Sequence, residues 1–236
     1  MLKHSSLRRQ KGLSIIEMMV GVAIALIVLA GAAALYLNTT RGGLASQRQV
    51  RLTQEVRAVM DIMIQDIRRS GYWANAINLG TNPFMVRTGA NQTDLYVNNN
   101  CILYAYDATF ITGNTAGSVD SRDFFGFRRN GAVMQMLPVN SGLDNTATAA
   151  AGCGALTWND ITDSAAVTIT GMTSSVDYKC LSLAGTETTG TTPCTTSADI
   201  ETRQVNLSIT AQHADDATIT ITIADSVLLP NNRLVP

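Results

Sequence analysis

The sequence predicts an α+β protein: one long N-terminal helix, membrane-spanning in its first half, packed against an antiparallel β-sheet. Three observations carry this. Leu13 to Leu37 is an apolar run interrupted by a single charge, Glu17. Leu52, Val56, Val59, Met60, Met63, Ile64 and Ile67 recur at three- and four-residue spacing. Near the C-terminus, Val205, Leu207 and Ile209, and then Ile219, Ile221 and Ile223, alternate with polar residues. The first pattern is a helix able to cross a bilayer, which takes about 20 apolar residues. The second is the core-facing stripe of an amphipathic helix, and the third marks two half-buried strands. A helix followed by a run of antiparallel strands is an α+β arrangement.

In chain order, residues 1–12 form a basic leader with Lys3, Arg8, Arg9 and Lys11, ending in Gly12. Positive charge on the short flank predicts a cytoplasmic N-terminus, with the remainder outside the cytoplasm. Residues 13–37 are the membrane helix, in which Gly21 and Gly31 are tolerated. A carboxylate there costs roughly 2.5–3.5 kcal/mol at the bilayer centre. Glu17 therefore calls for a polar partner supplied by something else in the membrane; the alternative is a charge that snorkels to the interface. An ordinary secretory signal is cut after its apolar run and loses it. Here Gly12 precedes the run, so the run stays; a plain signal anchor is the simpler reading of the same segment. Residues 38–70 continue the helix in amphipathic form. Gly42-Gly43 predicts a bend or frayed turn, since each Gly weakens a helix by about 1 kcal/mol. Ser70-Gly71 is the expected stop.

Residues 71–236 read as a β-rich domain outside the cytoplasm. Leu95 to Val97 and Cys101 to Tyr106 are strands separated by three asparagines. Phe124 to Arg129 and Ala132 to Leu137 form a hairpin through Asn130-Gly131, a pair suited to a type I′ turn. Val167 to Thr170 and Thr173 to Cys180 read as two short strands, and 185–197 as a Thr/Gly/Pro loop. The final pair of strands is joined by His213 to Ala217, and Val227 to Leu229 extends the sheet before Pro230.

The net charge of −1 hides an asymmetry. Residues 1–69 hold ten Lys/Arg and four Asp/Glu; residues 70–236 hold seven and fourteen. An acidic domain argues against nucleic-acid binding. The four cysteines, Cys101, Cys153, Cys180 and Cys194, suggest two disulfides in an oxidising compartment. Of the three pairings, Cys101 with Cys153 and Cys180 with Cys194 is expected, the second closing a loop with few apolar residues. A metal site competes weakly, because no CxxC occurs and His213 is the only histidine beyond the leader. Asp160 with Asp163, and Asp215 with Asp216, offer too few oxygens for calcium. His213 reads as a solvated turn residue, and Trp73 and Trp158 as packing residues. No GxSxG, GxxxxGK or HExxH is present. The expectation is no enzyme, no cofactor and no metal.

The basic leader, Gly12, Leu13 and Glu17 together resemble the class III signal of type IV prepilins. In that family a prepilin peptidase cuts after the Gly on the cytoplasmic face, the new N-terminus is methylated, and the Glu at the fifth mature position is kept. Carried onto this chain, the cut falls between Gly12 and Leu13, Leu13 is methylated, and Glu17 pairs with the amine of an adjacent subunit. The family's commonest first mature residue is Phe, and Leu13 departs from it. Met60 to Tyr72, especially Asp66-Ile67-Arg68-Arg69-Ser70-Gly71-Tyr72, is similar to the minor pilins of the PilW kind, as is Phe125-Gly126-Phe127-Arg128. The minor pseudopilin J of type II secretion has a similar plan.

The resemblance implies a pilin-like fold and a place in the tip complex that primes pilus assembly, serving adhesion, twitching motility or DNA uptake. It implies as partners other minor pilins, the major pilin, the prepilin peptidase, the inner-membrane assembly platform and lipid. It places the chain in the bacterial inner membrane and then in the extracellular pilus. The rival from another class is a signal-anchored periplasmic enzyme or ligand-binding domain, which predicts an uncleaved N-terminus and a polar cleft.

Overall fold

A computed structural model describes residues 12, 14–76, 81–87, 92–108, 115–139, 141–143, 146, 153 and 156–235. The chain divides into two compact units, Met1–Gln47 and Arg48–Pro236. One helix, α1 (Ile15–Ile67), contributes to both.

In the first unit, α1 is exposed along its whole described length. By length and composition it can cross a membrane. The frayed turn offered at Gly42-Gly43 does not occur, and the helix runs through the pair. Propensity is a weak local preference, and helix on both sides outvotes two glycines. Just before them the Thr39 and Thr40 hydroxyls donate to the Tyr36 carbonyl, which keeps their own polar groups satisfied within the helix.

In the second unit, the buried residues of α1 are the seven of the stripe, Leu52 to Ile67. They pack on two antiparallel sheets. The first is a five-stranded meander: β1 (Tyr96–Asn98), β2 (Cys101–Ala105), β3 (Phe124–Asn130), β4 (Val133–Met136) and β5 (Asn159–Asp160). The second comprises β6 (Val167–Leu181), β7 (Glu187–Gly190), β8 (Ile200–His213) and β9 (Asp216–Leu234), in the order β7-β6-β8-β9. The main core joins the helix stripe to Ile102, Tyr104 and Phe127 of the first sheet and to Val205, Leu207 and Ile209 of the second. A smaller core on the other face of the first sheet holds Phe84, Leu103, Phe124 and Trp158, with Trp73 packed against it. β2 is thus buried on both faces, which is why it reads as an unbroken apolar run, Cys101-Ile102-Leu103-Tyr104-Ala105.

Several strand boundaries differ from the sequence expectation. The hairpin closes with Asn130 opposite Val133, so the turn residues are Gly131 and Ala132. Of these only Gly131 has positive φ, +58°, where a type I′ turn needs it at both. The two short strands around Gly171 are one strand, β6, with a bulge between Ile169 and Gly171. The Thr/Gly/Pro loop contains β7, which pairs with the end of β6. β9 continues past Pro230, as an edge strand can.

Candidate assembly and processing site

Gly12 is exposed, and Leu13 lies outside the described residues. Ser14 is the residue just before α1, and Glu17 stands in the first helical turn. The Ser14 backbone N–H donates to the Glu17 carboxylate at 3.1 Å. Ser14-Ile15-Ile16-Glu17 thus has the spacing of a capping box, in which a carboxylate reaches back to one of the helix's unpaired N–H groups. The helix dipole favours negative charge there as well. This local role was legible in the Ser-x-x-Glu spacing but was not among the expectations. It occupies part of the carboxylate only, and the side chain is exposed among Ile15, Ile16, Met18 and Met19, which are exposed too. The arrangement supplies a fixed anion at the first turn of an apolar helix.

The remaining features are structural supports of the second unit. Disulfides join Cys101 to Cys153 and Cys180 to Cys194, with Cα–Cα distances of 6.4 and 5.8 Å. The second sits beside a buried ion network that the sequence reading missed. Glu201, fully buried, accepts from both terminal nitrogens of Arg87 at 3.0 and 2.7 Å and from the Cys194 N–H at 2.9 Å. Asp94 bridges Arg87 and Arg203, and Arg203 also donates to the Asn231 carbonyl at 3.2 Å. Burial works against the Arg87 charge, but the bond to Glu201 and the field of Asp94 outweigh it and raise its pKa. The signal was available: Glu201 and Arg203 occupy the inward phase of the strand that continues as Val205, Leu207 and Ile209.

A second cluster anchors the helix end. Asp66 accepts from the hydroxyls of Tyr104 at 2.6 Å and Tyr106 at 2.9 Å. Burial, and then the neighbouring Asp66 charge, push both phenols above their ordinary pKa. Ile67 is in the core, the Ser70 carbonyl accepts from Asn231, and Gly71, with φ +73°, donates its N–H to Ala105 at 2.8 Å. The stretch Asp66 to Gly71 is therefore the joint between helix and sheets.

His213 is buried rather than solvated, and its Nδ1 accepts from the Asp215 N–H at 3.1 Å. The inward phase of β8, which ends at His213, overrides the turn beside it. Asp160 accepts from Gln135, Asp163 from the Ala165 N–H, and Asp216 lies 3.8 Å from Arg48. Among the described residues no three His, Cys, Asp or Glu side chains converge as metal ligands.

A family model described as prepilin peptidase-dependent protein B matches residues 45–229. A second, the prokaryotic N-terminal methylation motif, matches residues 7–33. No curated protein and no solved structure matches the chain.

Proposed function

The chain belongs to the family of prepilin peptidase-dependent protein B, and on that premise we propose that it is a minor pilin of a type IV pilus, carried in the tip complex that primes assembly. Membership implies processing by prepilin peptidase and assembly with other pilins, and the apolar helix fits an inner-membrane anchor. In this reading the cut falls between Gly12 and Leu13 and the Leu13 amine is methylated. The role is structural: the chain is a subunit that meets other minor pilins, the major pilin and the assembly platform, and it catalyses no reaction. After assembly it leaves the inner membrane for the pilus.

The observation that carries the reading is Glu17, a lone carboxylate in the first turn of an exposed apolar helix. Processing creates a cation one residue before Ser14. In the assembled state Glu17 pairs with the corresponding amine of a neighbouring subunit, which neutralises an anion in lipid and fixes the axial register of one helix against the next. Removing one partner of a buried ion pair costs about 3–5 kcal/mol. Glu17→Ala is expected to abolish incorporation into pili while the second unit still forms both disulfides. Normal piliation by Glu17→Ala cells would refute this role. Mass spectrometry of the mature N-terminus tests the processing step, with methylated Leu13 expected. Co-purification with pilus rather than type II secretion components separates a pilin from a pseudopilin of similar plan.

A further inference from the structure

The margins of the two sheets are unequal. β1, β5 and β7 are short, at three, two and four residues. β9 has 19 residues and pairs on one side only, with β8. Every second residue of such a strand turns its N–H and C=O away from its neighbour. Among the described residues, backbone groups between Ile219 and Leu229 bond to β8 and to no other strand or loop; the Ser226 N–H also meets the Asp225 carboxylate. From Ala217 to Ala224 the strand carries neither charge nor proline. A long, regular edge of this kind is a template for pairing with another chain, and proteins usually interrupt it.

The interruption here is Asp225. It stands opposite Leu207, so its side chain belongs to the face that carries Ile221, Ile223, Val227 and Leu229. Val227 and Leu229 are buried, yet Asp225, in the same phase, is exposed. A strand added at this edge brings apolar atoms against the carboxylate, which is unfavourable unless a cation arrives with it. Beneath it lies a groove of about 610 Å³ whose lining includes Asn99, Ser174, Leu207 and Asp225. That space, with its oxygen acceptors, suits an ammonium or guanidinium group.

We propose that the open edge of β9 receives an extended strand from a different protein, one that alternates apolar and polar residues and sets a Lys or Arg opposite Asp225. The backbone supplies affinity and the carboxylate supplies selection, because a strand without the cation is rejected rather than merely bound less well. A second copy of β9 is a poor occupant. Between Asp216 and Leu234 its one cation is Arg233. A register that sets Arg233 of one copy opposite Asp225 of another also places Pro230 inside the new ladder, where it cannot donate.

The test uses the full chain in detergent micelles and two capped peptides that alternate Val and Thr, one with Lys and one with Glu in place of the central Val. Binding is read by anisotropy, and its site by hydrogen exchange of 217–229. The Lys peptide is expected to bind on the order of tenfold tighter than the Glu peptide, since opposite charges stabilise a cross-strand pair and like charges oppose it. It should protect 217–229, Asp225→Asn should erase the preference, and Asp225→Lys should reverse it. Equal binding of both peptides, no binding of either, or protection elsewhere overturns the proposal. So does concentration-dependent protection of 217–229 without peptide, which would make a second copy the occupant.

Discussion

Asp66 holds two phenols, and that arrangement has a pH signature. Tyr104 and Tyr106 both have pKa values raised above the ordinary 10.0. The folded state therefore keeps protons that the unfolded chain releases, and stability falls as pH rises above about 10. Below that point the contribution is fully present. Denaturant midpoints across the alkaline range should show the decline, and Tyr106→Phe should make it shallower while costing about 1 kcal/mol at neutral pH. The ion network gives a second residue-scale expectation. Glu201→Ala leaves Arg87 with Asp94 as its carboxylate partner and the Cys194 N–H without its acceptor, and should cost about 3 kcal/mol in denaturant unfolding. The exposed pair Arg51–Asp163, at 3.4 Å, should give under about 1 kcal/mol in the same assay when Arg51 becomes Ala.

At the scale of elements, β2 and β3 approach closely because Gly126 has no side chain. A Cβ there would stand 2.7 Å from the Ile102 carbonyl oxygen and 2.6 Å from Leu103 Cδ2. Backbone cannot yield as a side-chain tip can, so Gly126→Ala should lose about 1–3 kcal/mol in a thermal or denaturant melt. The helix stripe, the buried run of β2 and the alternation of β8 and β9 are each written in side chains at the right period. β7 is not, because Glu187-Thr188-Thr189-Gly190 carries no apolar pattern and owes its place to the ladder with β6 and the nearby Cys180–Cys194 disulfide. β6 reads as two strands because its apolar phase slips at Gly171, and the bulge that absorbs the slip is set by pairing with β8. At the site, the apolar run and Glu17 were plain, whereas Arg87 and Asp94 lie in a stretch without period, and Arg87 reaches Glu201, and Asp94 reaches Arg203, only through the tertiary fold.

For the molecule as a whole, the boundary between the two units falls inside a continuous helix, after Gln47. The apolar N-terminal stretch and the first element of the second unit's core belong to one helix. Residues 48–67 of α1 supply all seven of its buried side chains, while the residues before them supply none. Fully burying a large apolar side chain is worth about 1.5–3 kcal/mol. Seven such contributions are comparable with the roughly 5–15 kcal/mol by which a whole domain is stable. Two truncations should therefore behave differently. A chain beginning at Arg48 keeps the stripe, the Asp66 joint and both disulfides, and should be soluble with one cooperative thermal transition. A chain beginning at Gly71 removes the stripe and leaves the inward faces of both sheets without their cover. It should lack a cooperative melt and bind a hydrophobic dye. If the shorter chain melts as sharply as the longer, the helix is not the common core of the two sheets. If the longer chain also fails to fold, residues before Arg48 contribute to the second unit in a way that their exposure along the helix does not show.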